Sequence, residues 1–108
     1  MQINYNRDKY LSEFSIKTLE DRYLIGDEKS PQDAFARASI AFSDNEEHAQ
    51  RLYDYASKLW FMFSTPVLSN GGTKRGLPIS CFLNYVDDSR EGITDHYTEN
   101  AFLSSVGG

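Results

Sequence analysis

The sequence predicts a mainly α-helical chain with a few β-strands, and three observations support this fold class. Before position 64, apolar residues recur at three- and four-residue spacing, which is typical of amphipathic helices. A loop rich in glycine and hydroxyl residues follows at 64–73, and the apolar run at 79–86 has the length and composition of a strand. We therefore expect a helical domain at 1–63 and the start of a larger α/β sheet or barrel at 64–108.

The first two predicted helices have clear ends. Apolar residues between Leu11 and Leu24 indicate an amphipathic helix that ends near Gly26. Ser30 has the character of an N-cap, and Pro31 is suited to the first helical position. With Asp33 in the first turn, these residues predict a second helix that runs to about position 40.

The third helix is predicted from a capping box and a long apolar stripe. Asp44 and Glu47 have the spacing of the box. The Trp60–Phe63 cluster is expected in the core, and the two histidines, His48 and His96, are expected to be solvated or capping side chains rather than metal ligands. The stripe comprises residues at helical spacing: Ala49, Leu52, Tyr53, Ala56, Leu59, Trp60 and Phe63.

A loop and then a strand are predicted after the third helix. Pro66 should end the helix and begin the loop, and Asn70-Gly71-Gly72 is a strong turn signal. The glycines and hydroxyls also suggest a nest of backbone N–H groups for a phosphate. Residues Ile79–Val86 alternate between two largely apolar faces, so we expect a strand that is covered on both sides.

A fourth helix is predicted at the carboxy-terminal end of the sequence. Asp87-Asp88-Ser89 supplies candidate caps, Ile93 and Phe102 lie within the helix, and Gly107-Gly108 follows as a stop signal. The sequence stops within this second glycine-rich turn, and we expect another polypeptide to complete any pocket there.

Charge and composition exclude several classes of function. The net charge of −5 provides no basic field for polymeric nucleic acid, although a small anion remains compatible with the loop. No stretch has membrane-spanning length and no signal peptide is evident, so we expect a cytoplasmic protein. Cys81 is the only cysteine, and it is therefore either a buried thiol or half of a pair whose partner lies in another chain.

Several short motifs follow one another in the second half of the chain. Their order and spacing resemble the large, catalytic subunit of aerobic, class I ribonucleotide reductase, over roughly the whole chain and most specifically after Phe63. The resemblance implies an amino-terminal helical domain, followed by the first strand or strands of a ten-stranded α/β barrel in which ribonucleoside diphosphates, or triphosphates in some members, are reduced to deoxyribonucleotides. The motifs are STPVLSNGGT at 64–73, SCFL at 80–83, DDS at 87–89 and SSVGG at 104–108.

The resemblance also implies roles for individual residues. Cys81 would be one of two thiols that deliver reducing equivalents to the sugar and end as a disulfide. Its partner would come from a later strand that this sequence does not contain. The implied substrate-binding residues are Thr65, Ser80, Cys81, Gly107 and Gly108, and the implied binding residues for an allosteric deoxynucleotide effector are Asp88, Ser89 and Arg90.

The resemblance implies partners but no cofactor or metal held by this chain. The expected partners are a complementary carboxy-terminal fragment of the large subunit, a small subunit carrying the metal and radical centre, the ribonucleotide substrate and a deoxynucleotide or ATP effector. A thioredoxin- or glutaredoxin-type protein would supply the reductant. We expect the chain to be inactive alone.

Structural explanations compete with each functional one. Without the neighbouring motifs, Cys81 would be interpreted as a small core residue, and Asp88 as a helix cap. Thr65-Pro66 and Gly71-Gly72 are also compatible with ordinary turns. The alternative for the whole chain is a non-catalytic helical interaction module that binds a partner or a small anion.

Overall fold

The structure is a computed structural model that describes all 108 residues, and it contains helices but no β-strand. A short 3-10 helix precedes five α-helices. The 3-10 helix spans Tyr5–Tyr10, and the α-helices are α1 (Glu13–Arg22), α2 (Pro31–Ala41), α3 (Glu46–Ser57), α4 (Thr65–Asn70) and α5 (Arg90–Ser105).

Helix α2 is the centre of the fold, because the 3-10 helix, α1, α3 and α4 all pack against it. Ala34 and Ala38 are fully buried on α2, and their small side chains allow neighbouring helices to approach closely. Large side chains, chiefly Phe35 and Tyr53, fill the space between the helices. The core cluster consists of Leu19, Ala34, Phe35, Ala36, Ala38, Tyr53 and Leu68.

The predicted start of α2 is confirmed in detail. The Ser30 hydroxyl accepts a hydrogen bond from the Gln32 N–H at 3.2 Å, and the Asp33 carboxylate accepts one from the Ser30 N–H at 3.2 Å. Pro31 lies in the first turn, where a missing N–H costs nothing. This capping box satisfies orphan donors at the helix end that faces the 3-10 helix.

The predicted cap of α3 is wrong by one residue. Asn45, not Asp44, is the N-cap, and its side-chain oxygen accepts a hydrogen bond from the His48 N–H at 2.8 Å. Asp44 instead donates its backbone N–H to His48 Nδ1 at 3.1 Å, which confirms that His48 is a capping side chain.

The end of α3 also differs from the prediction. The helix stops at Ser57, and Leu59 adopts a left-handed backbone conformation with φ of 62°. This reversal interrupts the helical periodicity, so Trp60 and Met62 are 69% and 60% exposed instead of lying in the core. The prediction of Trp60–Phe63 as a core cluster is therefore wrong for the first and third of its residues.

The predicted strand at Ile79–Val86 is not present in the structure. These residues adopt no regular secondary structure. A strand requires hydrogen bonds from a neighbouring strand, and this chain supplies none. The segment instead runs beside α5, where Asn84 Nδ2 donates to Asn100 Oδ1 at 3.1 Å.

Helix α5 is confirmed where the sequence predicts it. Its N-cap is Ser89, whose hydroxyl accepts a hydrogen bond from the Gly92 N–H at 2.9 Å. Its carboxy-terminal end is followed by Gly107, with φ of 97°, as expected for a stop signal. None of the helices combines the length and the apolar character needed to cross a bilayer.

The carboxy-terminal third lies outside the compact part of the molecule. No residue after Gly71 is buried, and α5 makes no substantial contact with α1–α4. The radius of gyration is 17.4 Å, against about 13 Å for a compact domain of this length. The predicted boundary between 63 and 64 remains a prediction, although Leu68 of α4 belongs to the helical core.

Candidate functional site

The candidate substrate loop at 64–73 is partly helical. The sequence predicts that Pro66 begins a loop, but Pro66 instead lies in the first turn of α4. Leu68 anchors this short helix in the core, while Thr65 at its start is exposed. The Tyr23 hydroxyl donates to Thr65 Oγ1 at 3.2 Å, so Thr65 is tied to the end of α1.

An apolar cavity of about 250 Å³ lies beside Thr65, between α1 and the segment before α4. Phe14, Leu19, Met62 and Phe63 are among the seven hydrophobic residues in its lining of ten. No charged side chain lines it, so this cavity is not suited to a phosphate.

The glycine pair of the loop packs against α2. A Cβ on Gly71 would lie 2.5 Å from the Val67 carbonyl oxygen and 2.8 Å from the Phe42 ring. Gly72 has a φ of 76°, and a Cβ there would lie 3.1 Å from Arg37 Cγ. The Gly71 N–H donates to Val67 O at 2.9 Å and is not available to a ligand. Close packing therefore explains these glycines better than a phosphate nest.

Arg37 holds the loop by its backbone. Its guanidinium donates to the Leu68 and Gly71 carbonyl oxygens at 2.8 and 2.7 Å, and to the Tyr23 carbonyl oxygen at 3.0 Å. The fourth bond goes to the Glu28 carboxylate at 3.0 Å, which completes an ion pair whose two side chains are both about 15% exposed or less.

Cys81 is a free, exposed thiol, and Ser80 Oγ lies 4.0 Å from its sulfur. Two hydrogen bonds place the start of this segment: Asn70 Nδ2 donates to Leu77 O at 2.9 Å, and the Leu77 N–H donates to Val106 O at 3.3 Å. The segment therefore connects the end of the loop at 64–73 to the end of α5.

Gly107 and Gly108 close α5. Their N–H groups donate to Ser104 O at 3.2 Å and to Leu103 O at 2.8 Å. A Cβ on Gly108 would lie 2.6 Å from the Phe82 ring, so this glycine lies directly against the residue that follows Cys81. Their role in substrate binding stays a prediction.

The candidate effector residues lie at the start of α5. Ser89 caps the helix, Arg90 is its first residue, and Asp88 is exposed beside them. The structural explanation for Asp88 as the helix cap is wrong, because Ser89 fills that position. His96, further along the helix, contacts Asn84 and Asn100 through its two ring nitrogens at 3.1 Å each.

The structure does not bring all predicted site residues into one cavity. Thr65 lines the apolar cavity, but none of the five principal cavities is lined by Ser80, Cys81, Gly107 or Gly108. No group of three or more His, Cys, Asp or Glu side chains is arranged to hold a metal ion.

The perturbed ionisable groups lie in the helical domain. Burial raises the pKa of Tyr53. Burial also acts to raise the pKa of Asp33, but hydrogen bonds from the Tyr5 hydroxyl and from two backbone N–H groups outweigh it, and the pKa falls below 3.8. The same bond to Asp33 raises the pKa of Tyr5. These groups support the packing of the 3-10 helix on α2 and α3.

Sequence reasoning missed Arg37, Tyr23 and Glu28, the residues that fix the loop. One signal was present: Arg37 is a lone charge among alanines and Phe35 in the most apolar stretch of α2. A cation at such a position is expected to be paired when its helix is buried. The sequence did not indicate that the partners would be main-chain carbonyl groups.

Comparison with known proteins gives consistent matches. Residues 9–76 match the family described as ribonucleotide reductase, all-alpha domain. The ribonucleoside-diphosphate reductase large subunit of Invertebrate iridescent virus 6 is 42% identical over 106 residues, which is 98% of this chain and 11% of the relative. That of Invertebrate iridescent virus 3 is 44% identical over 107 residues, covering 98% and 17%. The ribonucleoside-diphosphate reductase subunit alpha of Helicobacter pylori is 35% identical over 116 residues, which is 99% of this chain and 15% of the relative. The chain thus spans less than a fifth of the length of these relatives.

Proposed function

Since the chain belongs to the ribonucleotide reductase large-subunit family and carries its all-alpha domain, we propose that it is the amino-terminal part of a ribonucleoside-diphosphate reductase large subunit. In this proposal it contributes a substrate-binding loop and one redox-active cysteine to the reduction of ribonucleotides. The observation that carries the proposal is an exposed thiol, Cys81, tethered through Leu77 to the end of the loop at 64–73.

The chemistry assigned to Cys81 is a two-electron thiol oxidation. Cys81 and a second cysteine from the rest of the subunit lose two electrons and two protons and form a disulfide. The ribonucleoside diphosphate gains them, loses its 2′-hydroxyl as water and becomes a deoxyribonucleoside diphosphate. A thioredoxin- or glutaredoxin-type dithiol then reduces the disulfide by exchange. An accessible sulfur is required for both steps, and the exposure of Cys81 meets that requirement.

The substrate contacts are assigned to polar groups near this thiol and at the start of α4. Thr65 presents its hydroxyl at the exposed end of α4, and Ser80 lies next to the Cys81 sulfur. The backbone at Gly108 approaches Phe82, one residue from Cys81, which supports a place for Gly108 and the preceding Gly107 beside the same substrate.

An effector role is assigned to Asp88, Ser89 and Arg90. Asp88 and Arg90 are exposed and Ser89 caps the first turn of α5, so charged and hydroxyl groups are concentrated at one helix end. A deoxynucleotide or ATP is the expected ligand. Binding of the nucleotide would be detected as slower amide hydrogen exchange in the first turn of α5, in a sample without substrate turnover.

The remaining large-subunit sequence is the proposed partner that covers the exposed apolar surface. Leu83 is fully exposed, and Tyr85, Tyr97 and Phe102 are each at least 66% exposed. Such a set of large apolar side chains is unfavourable in water and typical of an interface. The segment at 79–86 would gain its missing strand partners there, and the radical-generating small subunit would act through that assembly.

The test is reconstitution of nucleotide reduction with the chain and the rest of a large subunit. The chain alone should be inactive, and the assembled enzyme should reduce a ribonucleoside diphosphate over many turnovers. Cys81→Ser should lower sustained turnover by more than 100-fold while size-exclusion chromatography shows unchanged assembly. Normal multiple turnover by this variant would refute the redox assignment.

No observation favours the alternative of a stand-alone interaction module. That alternative expects an independently packed chain, but nothing after Gly71 is buried. Urea unfolding with a parallel size measurement separates the two. A single cooperative transition in which 77–108 unfold together with the helical core, in a compact monomer, would favour the module.

A further inference from the structure

We propose that Arg37 is a positioning residue for the substrate loop, holding α4 so that Thr65 faces the substrate. This inference rests on the proposed function of the loop at 64–73. Arg37 itself would not touch substrate, since its guanidinium is occupied by protein groups and its side chain is 14% exposed.

The bonds of Arg37 join two helix ends that are otherwise open. The Tyr23 carbonyl lies at the end of α1, and the Leu68 and Gly71 carbonyls lie at the end of α4. The last carbonyls of a helix lack partners within the helix and carry partial negative charge. A guanidinium with several donors in a fixed plane can bind three such oxygens at once, which a lysine ammonium on a flexible stem does less well.

The position of Thr65 depends on the same residue by two routes. Tyr23 is held at its carbonyl by Arg37, and its hydroxyl donates to Thr65 Oγ1. Helix α4 has only six residues, too few to be stable without external contacts. Leu68 fixes one face of α4 in the core, while the Arg37 bonds fix its carboxy-terminal end.

Glu28 completes the arrangement by orienting Arg37. One carboxylate oxygen accepts from Arg37 Nε at 3.0 Å, and the other accepts from the Ile25 N–H at 2.8 Å. The ion pair therefore anchors Arg37 to the turn after α1. The turn at Gly72 lies directly over the aliphatic stem of Arg37, which allows little movement of the loop relative to Arg37.

The test uses Arg37→Met in the assembled large subunit with its small subunit, with cytidine diphosphate as substrate. We expect KM to rise about tenfold with kcat within twofold, because binding is weakened equally in the ground state and in the transition state. Hydrogen exchange at the Leu68 and Gly71 amides should accelerate at least tenfold. Arg37→Lys should restore little of either property.

Two control variants separate positioning from general stability. Arg51→Met removes an exposed arginine whose side chain makes no hydrogen bond, and it should leave KM and exchange unchanged. Tyr53→Phe removes a buried hydrogen bond to Gln32 that involves neither Arg37 nor the loop, and it should lower stability without raising KM. If Tyr53→Phe raises KM as much as Arg37→Met, the effect is general and the proposal is overturned.

The remaining outcomes also decide the proposal. Unchanged amide exchange in Arg37→Met would show that Arg37 does not hold α4 in place. Faster exchange in Arg37→Met with an unchanged KM would refute the positioning role of Arg37. The KM of Thr65→Ala then shows whether the loop binds substrate at all. A raised KM in Thr65→Ala leaves the proposed function of the loop intact, whereas an unchanged KM in both variants shows that the loop does not bind substrate.

Discussion

The clearest prediction for the fold concerns the buried hydroxyl of Tyr53. This hydroxyl donates to the Gln32 side-chain oxygen at 2.8 Å and accepts from the Asn4 N–H at 2.9 Å. Tyr53 and Gln32 are both fully buried, whereas Asn4 is exposed. Tyr53→Phe preserves the ring and its packing, so the substitution isolates these two hydrogen bonds.

The expected loss follows from what remains unpaired. The Gln32 oxygen would be left buried without a donor, at a cost of about 1–3 kcal/mol. The Asn4 N–H can bond to water, so its loss adds about 1 kcal/mol or less. We expect the free energy of unfolding to fall by about 2–3 kcal/mol in total. For a urea dependence of about 1–2 kcal/mol/M, the midpoint falls by about 1–3 M with an unchanged slope.

Urea unfolding followed by far-ultraviolet circular dichroism measures this change. Tyr10→Phe is the matched control, because Tyr10 is half exposed and its hydroxyl makes no hydrogen bond. That variant should lie within about 0.5 kcal/mol of the unmodified chain. If the free energy of unfolding of Tyr53→Phe also lay within about 0.5 kcal/mol of that of the unmodified chain, the Tyr53 hydroxyl would not be the link between the amino-terminal segment and α2.

Three further predictions address packing and charge. Ser39 and Ser57 are both buried, but the Ser39 hydroxyl has no hydrogen-bond partner, whereas the Ser57 hydroxyl accepts a hydrogen bond from the Arg7 guanidinium at 2.7 Å. In the same urea assay, Ser39→Ala should therefore raise the free energy of unfolding by about 1 kcal/mol, and Ser57→Ala should lower it by about 1–2 kcal/mol. Gly71→Ala should lower the free energy of unfolding by about 1–3 kcal/mol, because the added Cβ would lie 2.5 Å from the Val67 carbonyl oxygen. In Gly26→Ala the added Cβ has no atom within 4 Å, so this variant should lose only the about 1–2 kcal/mol that a positive φ costs a residue with a side chain. The pKa of Asp33 is lowered in the folded chain, so the contribution of Asp33 to stability is complete above pH 3.8 and is lost as pH falls through the lowered pKa. The urea midpoint measured from pH 5 to 2 should show this loss. In Asp33→Asn, the part of the pH dependence that comes from this carboxylate should be absent.

The starts of α2 and α5 were the most predictable features, because they depend on local hydrogen bonds. Ser30 with Pro31 begins α2 as expected, and Ser89 begins α5. The end of α3 was not predictable in the same way. An apolar stripe continues to Phe63, but the chain reverses at Leu59 in a conformation that leucine rarely adopts. Periodicity alone does not reveal such a reversal.

The candidate site was predictable as a set of motifs but not as a geometry. The motifs placed Thr65, Cys81 and Asp88 in one family pattern. The family match spans residues 9–76, which include Thr65 but not Cys81 or Asp88, so the roles of these residues stay predictions. The short helix at 65–70 and the packing of Gly71 on α2 were not evident, since they depend on residues far away in sequence. Thr65 and Cys81 line no common cavity in this chain.

The sequence by itself determined the starts of α2 and α5, the family and the residues on which its chemistry is proposed, because caps and motifs are local patterns of residue type. Tertiary structure decided what Arg37 binds, why Gly71 must be a glycine, and that 79–86 forms no strand here. The physical reason is the same in each case. The bonds of a guanidinium, a close backbone contact and the pairing of a strand all depend on groups that are distant in the sequence. For residues 79–86, this chain contains no such partner.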